Sequence, residues 1–310
     1  MHIPPKRLNI IGCGHVGQTL ARLWFLHDCV QIGDILNTSL TSSQAATGFI
    51  GAGRAVAELE AMQPAEIHLL GCPDKELERC GAALVGSGLL RPGDVVFHCS
   101  GALSSRLLQP AHPCGAWVAS VHPVKSFAEV DRAVTSFSPT FCGVEGDPLA
   151  EAVLSPLFAA IGGIPFAIDP SKKTLYHAAS VLACNYLVAL QELSIQTFAE
   201  AGVGRELAMQ ILQPIVQETV SNVFALGTAQ ALTGPIARGD YPVVGRQLAA
   251  LQAWQPAAGE LYRLLGQQAL ALAGQRGKAN PADLMQVSAL LAGTPSGDAL
   301  SHRPNPVIHP

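Results

Sequence analysis

Arg7-Leu8-Asn9-Ile10-Ile11 leads without a break into Gly12-Cys13-Gly14-His15-Val16-Gly17, and an apolar-faced run follows over residues 16–27. A β-branched run, glycines spaced GxGxxG and a helical pattern, in that order, describe a strand that turns sharply into a helix. Gly12 allows the tight turn, Gly14 leaves room for a ligand against the backbone, and Gly17 lets the helix pack closely on the sheet. The helix N-terminus adds free N–H groups and a positive dipole end, which together suit a pyrophosphate. Residues Gly12, Cys13, Gly14, His15, Val16 and Gly17 are therefore expected to cradle a dinucleotide.

Working outward, strand patterns fall at 8–11, 30–35, 67–71, 95–98, 118–121, 140–144 and 165–168. Helical patterns lie between them at 16–27, 42–50, 55–62, 76–84 and 148–161. That alternation predicts a doubly wound parallel sheet, an α/β Rossmann domain over residues 1–168. From Asp169 strand signals stop, and helical periods follow at 172–201, 204–226, 243–253 and 257–273. Residues 169–292 are thus expected to form an all-α domain for substrate binding and dimerisation, opened by the cap Asp169-Pro170-Ser171. Residues 293–310, rich in Gly, Pro, Ser and His without periodicity, read as a disordered tail.

With 310 residues and 49% hydrophobic content the chain can fill two cores, and two domains create a cleft. A net charge of −4 with 14% charged residues offers no basic face, which excludes nucleic acid as the main partner and favours a small-molecule substrate. The apolar stretch 178–190 is broken by Ser180 and Asn185, so no membrane span is expected. The N-terminus lacks the apolar core of a signal peptide, which predicts a cytoplasmic protein. Eight cysteines show no CxxC spacing, so neither a metal nor a disulfide is expected. The helical domain has few charges from Leu175 to Leu272 to cover its outer face, and this predicts a homodimer through that domain.

Cofactor choice is read at the end of the second strand. Asp34 lies in range of a ribose, but the apolar run continues through Ile35 and Leu36 to Asn37-Thr38-Ser39, with Thr41-Ser42-Ser43 opening a helix. Hydroxyls at a helix N-terminus suit a phosphate, so NADP(H) is preferred and NAD(H) stays possible. Loops at Cys72-Pro73-Asp74, His98-Cys99-Ser100-Gly101 and His122-Pro123 should collect at the carboxyl edge of the sheet. Ser100 and Gly101 would contact the cofactor, and His98 or His122 could donate a proton.

The helix opening the second domain carries Lys173, Tyr176, His177 and Asn185 in apolar surroundings. Lys173, His177 and Asn185 can share one face, with His177 or Lys173 as proton donor and Asn185 orienting the substrate. The same residues also read as a snorkelling lysine with a core His and Asn. Arg238 and Asp240 sit in a break in the helical pattern, where the arginine would bind a carboxylate or the two would pair.

GCGHVG at 12–17, CPD at 72–74, HCSGALSS at 98–105, SVHPVKSF at 120–127, LYHAASVLACNY at 175–186 and LTGPIARGD at 232–240 together resemble a bacterial family. That family couples a Rossmann-like NADP-binding region to a helical C-terminal domain of unknown function, and the resemblance runs over most of residues 7–275. Its layout is similar to pyrroline-5-carboxylate reductases, deazaflavin-linked NADP oxidoreductases, ketopantoate reductases and other 6-phosphogluconate-dehydrogenase-like enzymes. The resemblance implies an NADP(H)-dependent reduction of a small 2-oxo acid, with ketopantoate as the named candidate. Imine reduction, or a sensor or scaffold that binds dinucleotide without turnover, stands beside it. By motif it carries over His98, Ser100, His122, Tyr176, His177, Asn185, Thr233, Arg238 and Asp240. Relatives with an arginine after the second strand have Asn37 at that place here.

Overall fold

The computed structural model describes residues 5–293. Residues 294–310, the greater part of the expected tail, lie outside the described residues. Contacts divide the chain into two compact units, Met1–Leu187 and Val188–Pro310.

The first unit is built on eight strands: β1 (Arg7–Ile11), β2 (Gln31–Leu36), β3 (Arg54–Val56), β4 (Ile67–Leu70), β5 (Val95–His98), β6 (Trp117–Pro123), β7 (Thr140–Gly146) and β8 (Gly163–Ala167). They form one sheet in the order β3-β2-β1-β4-β5-β6-β7-β8. Every neighbouring pair is parallel except β6–β7, which is antiparallel. The central strands are buried on both faces because helices cover both faces of a parallel sheet, and the few polar residues within them, Asn9, Asp34 and His68, are buried with the rest. Strand order reverses between β1 and β4, the place where the chain connections leave for opposite faces of the sheet and a crevice forms at the carboxyl ends.

Helices α1 (His15–Leu26), α2 (Leu40–Ile50), α3 (Asp74–Gly86), α4 (Val130–Thr135) and α5 (Pro148–Ala160) complete the layers. One core packs Leu8, Ile10, Leu20, Ile35, Phe97 and Phe158; the other packs Ile11, Leu70, Leu77, Val96 and Val118. Trp24 meets Phe97 and Phe158 edge-on at ring-centroid distances of 6.5 and 5.2 Å. Its indole N–H donates to the Leu157 carbonyl at 2.9 Å, so the buried ring leaves no polar atom unpaired.

The expected helix over 55–62 is not formed. The chain makes strand β3 and a single 3-10 turn, Leu59–Ala61, instead. Arg54 grips the buried Asp34 of β2 through two hydrogen bonds of 2.7 and 3.0 Å, which draws the segment onto the sheet edge. Ser105–Cys114 is a 3-10 run holding Pro110 and Pro113, a stretch that periodicity does not mark.

After β8, the 3-10 turn Pro170–Lys172 opens α6 (Lys173–Ser180), which passes through a π-helical turn, Val181–Asn185, into α7 (Tyr186–Glu200). The boundary between the units falls within α7, so Lys173, Tyr176, His177 and Asn185 belong to the first unit. By length and composition alone the helical run Pro170–Glu200 is apolar enough to cross a membrane, with mean hydropathy 1.4, where the polar interruptions predict no span. Its first turn is held on the sheet by Lys173, whose side chain is 1% exposed in an ion pair with Glu145.

The second unit is helical throughout its described residues: the rest of α7, α8 (Arg205–Leu226), the short α9 (Thr228–Ala231) and α10 (Pro235–Arg238), then α11 (Tyr241–Trp254), α12 (Pro256–Arg276) and α13 (Pro281–Leu291). Its buried centre is small, built on Val244, Val287 and Leu291 with Ile236, Tyr262 and Leu270 against them. Many large apolar side chains face outward in a single copy, among them Val188, Leu207, Ile215, Phe224 and Met285.

Candidate functional site

At the crevice the loop after β1 is pressed against the loop after β4. Gly12 has φ +83°, and a Cβ there would lie 2.5 Å from the Cys72 nitrogen, so only glycine fits. Gly71 is equally confined, since its Cβ would lie 2.4 Å from the Gly12 carbonyl oxygen. Gly12 N–H donates to the Leu36 carbonyl at 2.7 Å and Gly71 N–H to the Ile11 carbonyl at 2.9 Å, stitching the ends of β1, β2 and β4 together. Gly14 caps α1 with φ −80°, and a Cβ there would meet nothing within 4 Å. Gly17 is looser than expected: a Cβ would find the Cys13 sulfur at 3.4 Å, an ordinary contact.

These loops border a cavity of about 890 Å³ lined by Gly12, Cys13, Gly14, Gln18, Asn37, Thr38, Ser42, Glu58, Glu60, Cys72, Pro73, Glu76 and Arg79 among others. Its wall carries both signs of charge. Asn37 is committed inward: its Oδ1 accepts the Cys13 N–H at 2.5 Å and its Nδ2 donates to the Ser42 carbonyl at 3.0 Å. Ser39 caps α2, its hydroxyl accepting from Ser42 N–H at 3.2 Å, while Thr38 and Ser42 face the cavity. Asp34 is removed as a ribose ligand, because its fully buried carboxylate takes Arg54, Arg7 and the Gln63 N–H. His15 turns outward, its ring Nδ1 lying 2.8 Å from the Phe127 carbonyl, and Val16 packs against the core.

The loops after β5 and β6 hold the other polar groups. His98 is not a ligand-facing group: it is buried, its Nδ1 accepts the Ser100 N–H at 3.1 Å, and its Nε2 is enclosed with no partner. Burial, aided by the Lys173 charge, pushes its pKa down to about 3, so it stays neutral. The Ser100 hydroxyl is spent on structure, donating to Asp74 at 2.8 Å and accepting the Ala102 and Leu103 N–H groups at 3.2 and 3.0 Å. Gly101 does reach the functional groups. A Cβ on it would lie 2.3 Å from His177 Cδ2 and 2.7 Å from His122 Nε2.

Around Gly101 the structure gathers His122, Tyr176 and His177. His122 Nδ1 lies 2.9 Å from the Tyr176 hydroxyl, and its ring stands edge-on to Tyr176 and His177 at 5.6 and 5.7 Å. Beneath them Lys173 Nζ donates to Glu145 Oε1 at 3.0 Å and to the Ser120 hydroxyl. Glu145 also accepts the Ser105 N–H and hydroxyl at 2.7 and 2.6 Å. Burial pulls the Lys173 ammonium below its ordinary pKa against the Glu145 carboxylate, which raises it. Lys173 is therefore neither a snorkelling lysine nor an exposed proton donor.

Asn185 is exposed in the π-helical turn. Eight residues of regular α-helix would rotate it ~80° from His177, and the one extra residue of a π-turn reduces this to ~20°. Arg238 and Asp240 lie in the second unit, where the Asp240 carboxylate caps α11 through the Val243 N–H at 3.3 Å and Arg238 is exposed without an ion pair among the described residues. Those residues also hold no cluster of His, Cys, Asp or Glu suited to a metal. Glu145, Ser105, Ser120 and Arg79 escape sequence reading. A lone carboxylate inside the apolar strand 140–146 is the only mark that singles out Glu145.

Residues 2–123 match the family model of a Rossmann-like domain, and residues 140–269 match that of a domain of unknown function, DUF2520. Protein TM1727 of Thermotoga maritima is 25% identical, with a TM-score of 0.70 over 87% of this chain and 99% of that one. BF3122 of Bacteroides fragilis, provisionally named an NADP oxidoreductase, is 20% identical, with a TM-score of 0.70 over 86% of this chain and 99% of that one. A Plasmodium falciparum pyrroline carboxylate reductase solved with NADP bound is 12% identical, with a TM-score of 0.54 over 88% of this chain and 100% of that one. Likeness at the last two identities carries the fold alone. No curated protein matches the chain in sequence. The chain thus belongs to the proteins that join an N-terminal Rossmann-like domain to a C-terminal DUF2520 domain.

Proposed function

We propose that the chain is a cytoplasmic oxidoreductase that binds a nicotinamide dinucleotide, NADP(H) in preference to NAD(H), and transfers a hydride to the carbonyl of a small 2-oxo acid, with ketopantoate as the leading named candidate. One observation carries the reading. The bare Gly14 face and the His122, Tyr176 and His177 cluster around Gly101 belong to one unit: Gly14 follows β1, Gly101 follows β5 and His122 stands near the end of β6, three strands that run in the same direction, and α6 brings Tyr176 and His177 to them. A pyrophosphate would lie on the free N–H groups of α1. The dinucleotide would supply the hydride, and the cluster would handle the proton that carbonyl reduction consumes. His177 would meet the substrate oxygen, Tyr176 would border it, and Asn185 would orient the rest.

Support for NADP(H) is local. No carboxylate reaches out from the end of β2, since Asp34 is buried, and Thr38, Ser42 and Arg79 share the cavity. Arg79 holds Glu76 in an exposed pair, and such a pair yields readily to a phosphate. Titrations followed by intrinsic fluorescence should show tighter binding of NADPH than of NADH, with Arg79→Ala narrowing the ratio. Gly14→Val should lose both nucleotides while circular dichroism stays native, because φ −80° suits any residue. Retained binding in that variant would remove the pyrophosphate from the α1 N-terminus.

For His177, the expectation is a fall in kcat of about a hundredfold or more on His177→Ala with cofactor affinity little changed, as for loss of a group acting on the reacting atoms. A normal kcat with raised KM would make it a binding residue only, and no change in either would make it a packing residue.

The partner proposed for the second unit is a second copy of the chain. Phe224 is 85% exposed, Val188 71% and Met285 67%, more large apolar surface than a stable monomer presents. Light scattering at micromolar concentration should give the mass of a dimer; a monomer refutes the pairing.

A further inference from the structure

Three groups meet at one point of the β6–β7 pair: a histidine, a phenol and a missing side chain. His122 of β6 lies directly opposite Gly143 of β7 in the antiparallel register. A Cβ on Gly143 would lie 2.9 Å from the Tyr176 hydroxyl oxygen and 3.2 Å from its Cζ. The glycine thus clears the space through which the phenol reaches His122 Nδ1, at 2.9 Å. That nitrogen is the only hydrogen-bond partner of the phenol among the described residues. A phenol donates better than it accepts, so Nδ1 is the acceptor, and the imidazole proton is left on Nε2. Nε2 makes no hydrogen bond among the described residues and is not one of their enclosed, unpartnered polar atoms; it faces the bare Cα of Gly101 beside His177.

We propose that Tyr176 is the positioning residue that holds His122 in the Nε2-protonated tautomer, making Nε2–H the proton donor to an oxyanion and the phenol the group that lends Nδ1 a proton as Nε2 gives up its own. The inference rests on the hydride-transfer reading above and narrows its substrate class to carbonyls. The carbonyl carbon takes the hydride from the reduced dinucleotide, and the C=O π pair moves to oxygen. That oxygen takes the Nε2 proton while Nδ1 takes the phenolic proton; Nδ1 then returns that proton to the phenolate, and Nε2 takes one from water, to which His122 is partly open. His177 is left to hydrogen-bond the same oxygen as its charge develops.

The surroundings agree. Burial first, then His177 and the Lys173 ammonium, push the His122 pKa down to about 4, while burial and the Cys142 side chain push the Tyr176 phenol up to about 12. At neutral pH the imidazole is uncharged and the phenol protonated. A neutral imidazole is a poor acid toward an imine that must be protonated before reduction, but it suffices for an alkoxide that has already formed. The helix keeps the parts in phase: Tyr176 and His177 follow the buried Lys173 by three and four residues, on one face.

Long-range ¹H–¹⁵N correlation spectra of the full chain labelled at histidine, recorded at neutral pH without ligand and assigned with His122→Gln, test the placement directly. The expected His122 pattern has a protonated Nε2 and a bare Nδ1. Tyr176→Phe should convert it to a mixture of tautomers, and Gly143→Ala should do the same by displacing the phenol. A wild-type Nδ1–H pattern, or one that Tyr176→Phe leaves unchanged, would overturn the proposal. Because this reading needs neither cofactor nor substrate, its failure is distinct from failure of the oxidoreductase assignment. With a reducible carbonyl in hand, Tyr176→Phe should lower kcat on the order of tenfold at unchanged KM, less than the loss of a general acid itself. A raised KM at constant kcat would instead make Tyr176 a binding group and contradict the relay.

Discussion

The buried ion pair of Lys173 with Glu145 is the contact on which the arrangement of the site depends. Both side chains are almost fully enclosed, at 1% and 2% exposure, and an enclosed charge is tolerated only when its partner and its remaining hydrogen bonds are in place. Here they are. Glu145 accepts from Lys173, from the Ser105 backbone and from the Ser105 hydroxyl, while Lys173 also donates to Ser120. Ser120 and Glu145 face each other across the antiparallel β6–β7 register. The ammonium therefore fixes α6 at one place along those strands, and the next turn of the helix must set Tyr176 and His177 beside His122. Removing one partner of such a pair costs about 3–5 kcal/mol. What it contributes here is register, since a helix held only by apolar contacts could slide along the sheet.

A second constraint is backbone crowding at the strand-order reversal. Gly12 and Gly71 are in van der Waals contact through their backbones, Asn37 ties the β1 loop to the β2 loop, and Ser100 ties the β5 loop to Asp74. Polar side chains that look like ligands in sequence are consumed in holding loops still. What remains free to meet a nucleotide is mostly backbone, with Thr38, Ser42 and Arg79 around it. A cradle of this kind would bind through N–H groups and shape, so Gly14, where a Cβ would meet nothing in the protein, is also where a side chain would do most harm to binding.

Legibility of this architecture in the sequence follows the range of the interactions. The turn from β1 into α1 is encoded within eleven consecutive residues, and the alternation of β-branched runs with helical periods places every long strand. Strand β3 escapes because its three residues are held by Arg54 on Asp34, a pairing across twenty positions that no local period signals. His98 reads as a ligand because it stands at a strand end beside Ser100, yet period-two alternation does not say which face is sealed. Glu145 and Lys173 are 28 residues apart and meet only because β7 returns antiparallel, a reversal that the expectation of a doubly wound parallel sheet does not contain. The π-turn at Val181–Asn185 is equally silent in sequence, although it brings Asn185 back toward the face expected for it.

Hydride transfer, as distinct from mere retention of a nucleotide, is the function proposed for these groups. Incubation of the chain with NADPH deuterated at nicotinamide C4, against a panel of 2-oxo acids and cyclic imines, with mass analysis of the products, tests it most directly. Deuterium is expected at the carbinol carbon of a 2-hydroxy acid, and its transfer is expected to be lost in a His122→Gln variant that still binds nucleotide. Bound nucleotide with no label passed to any member of the panel would contradict it and leave a dinucleotide sensor in its place.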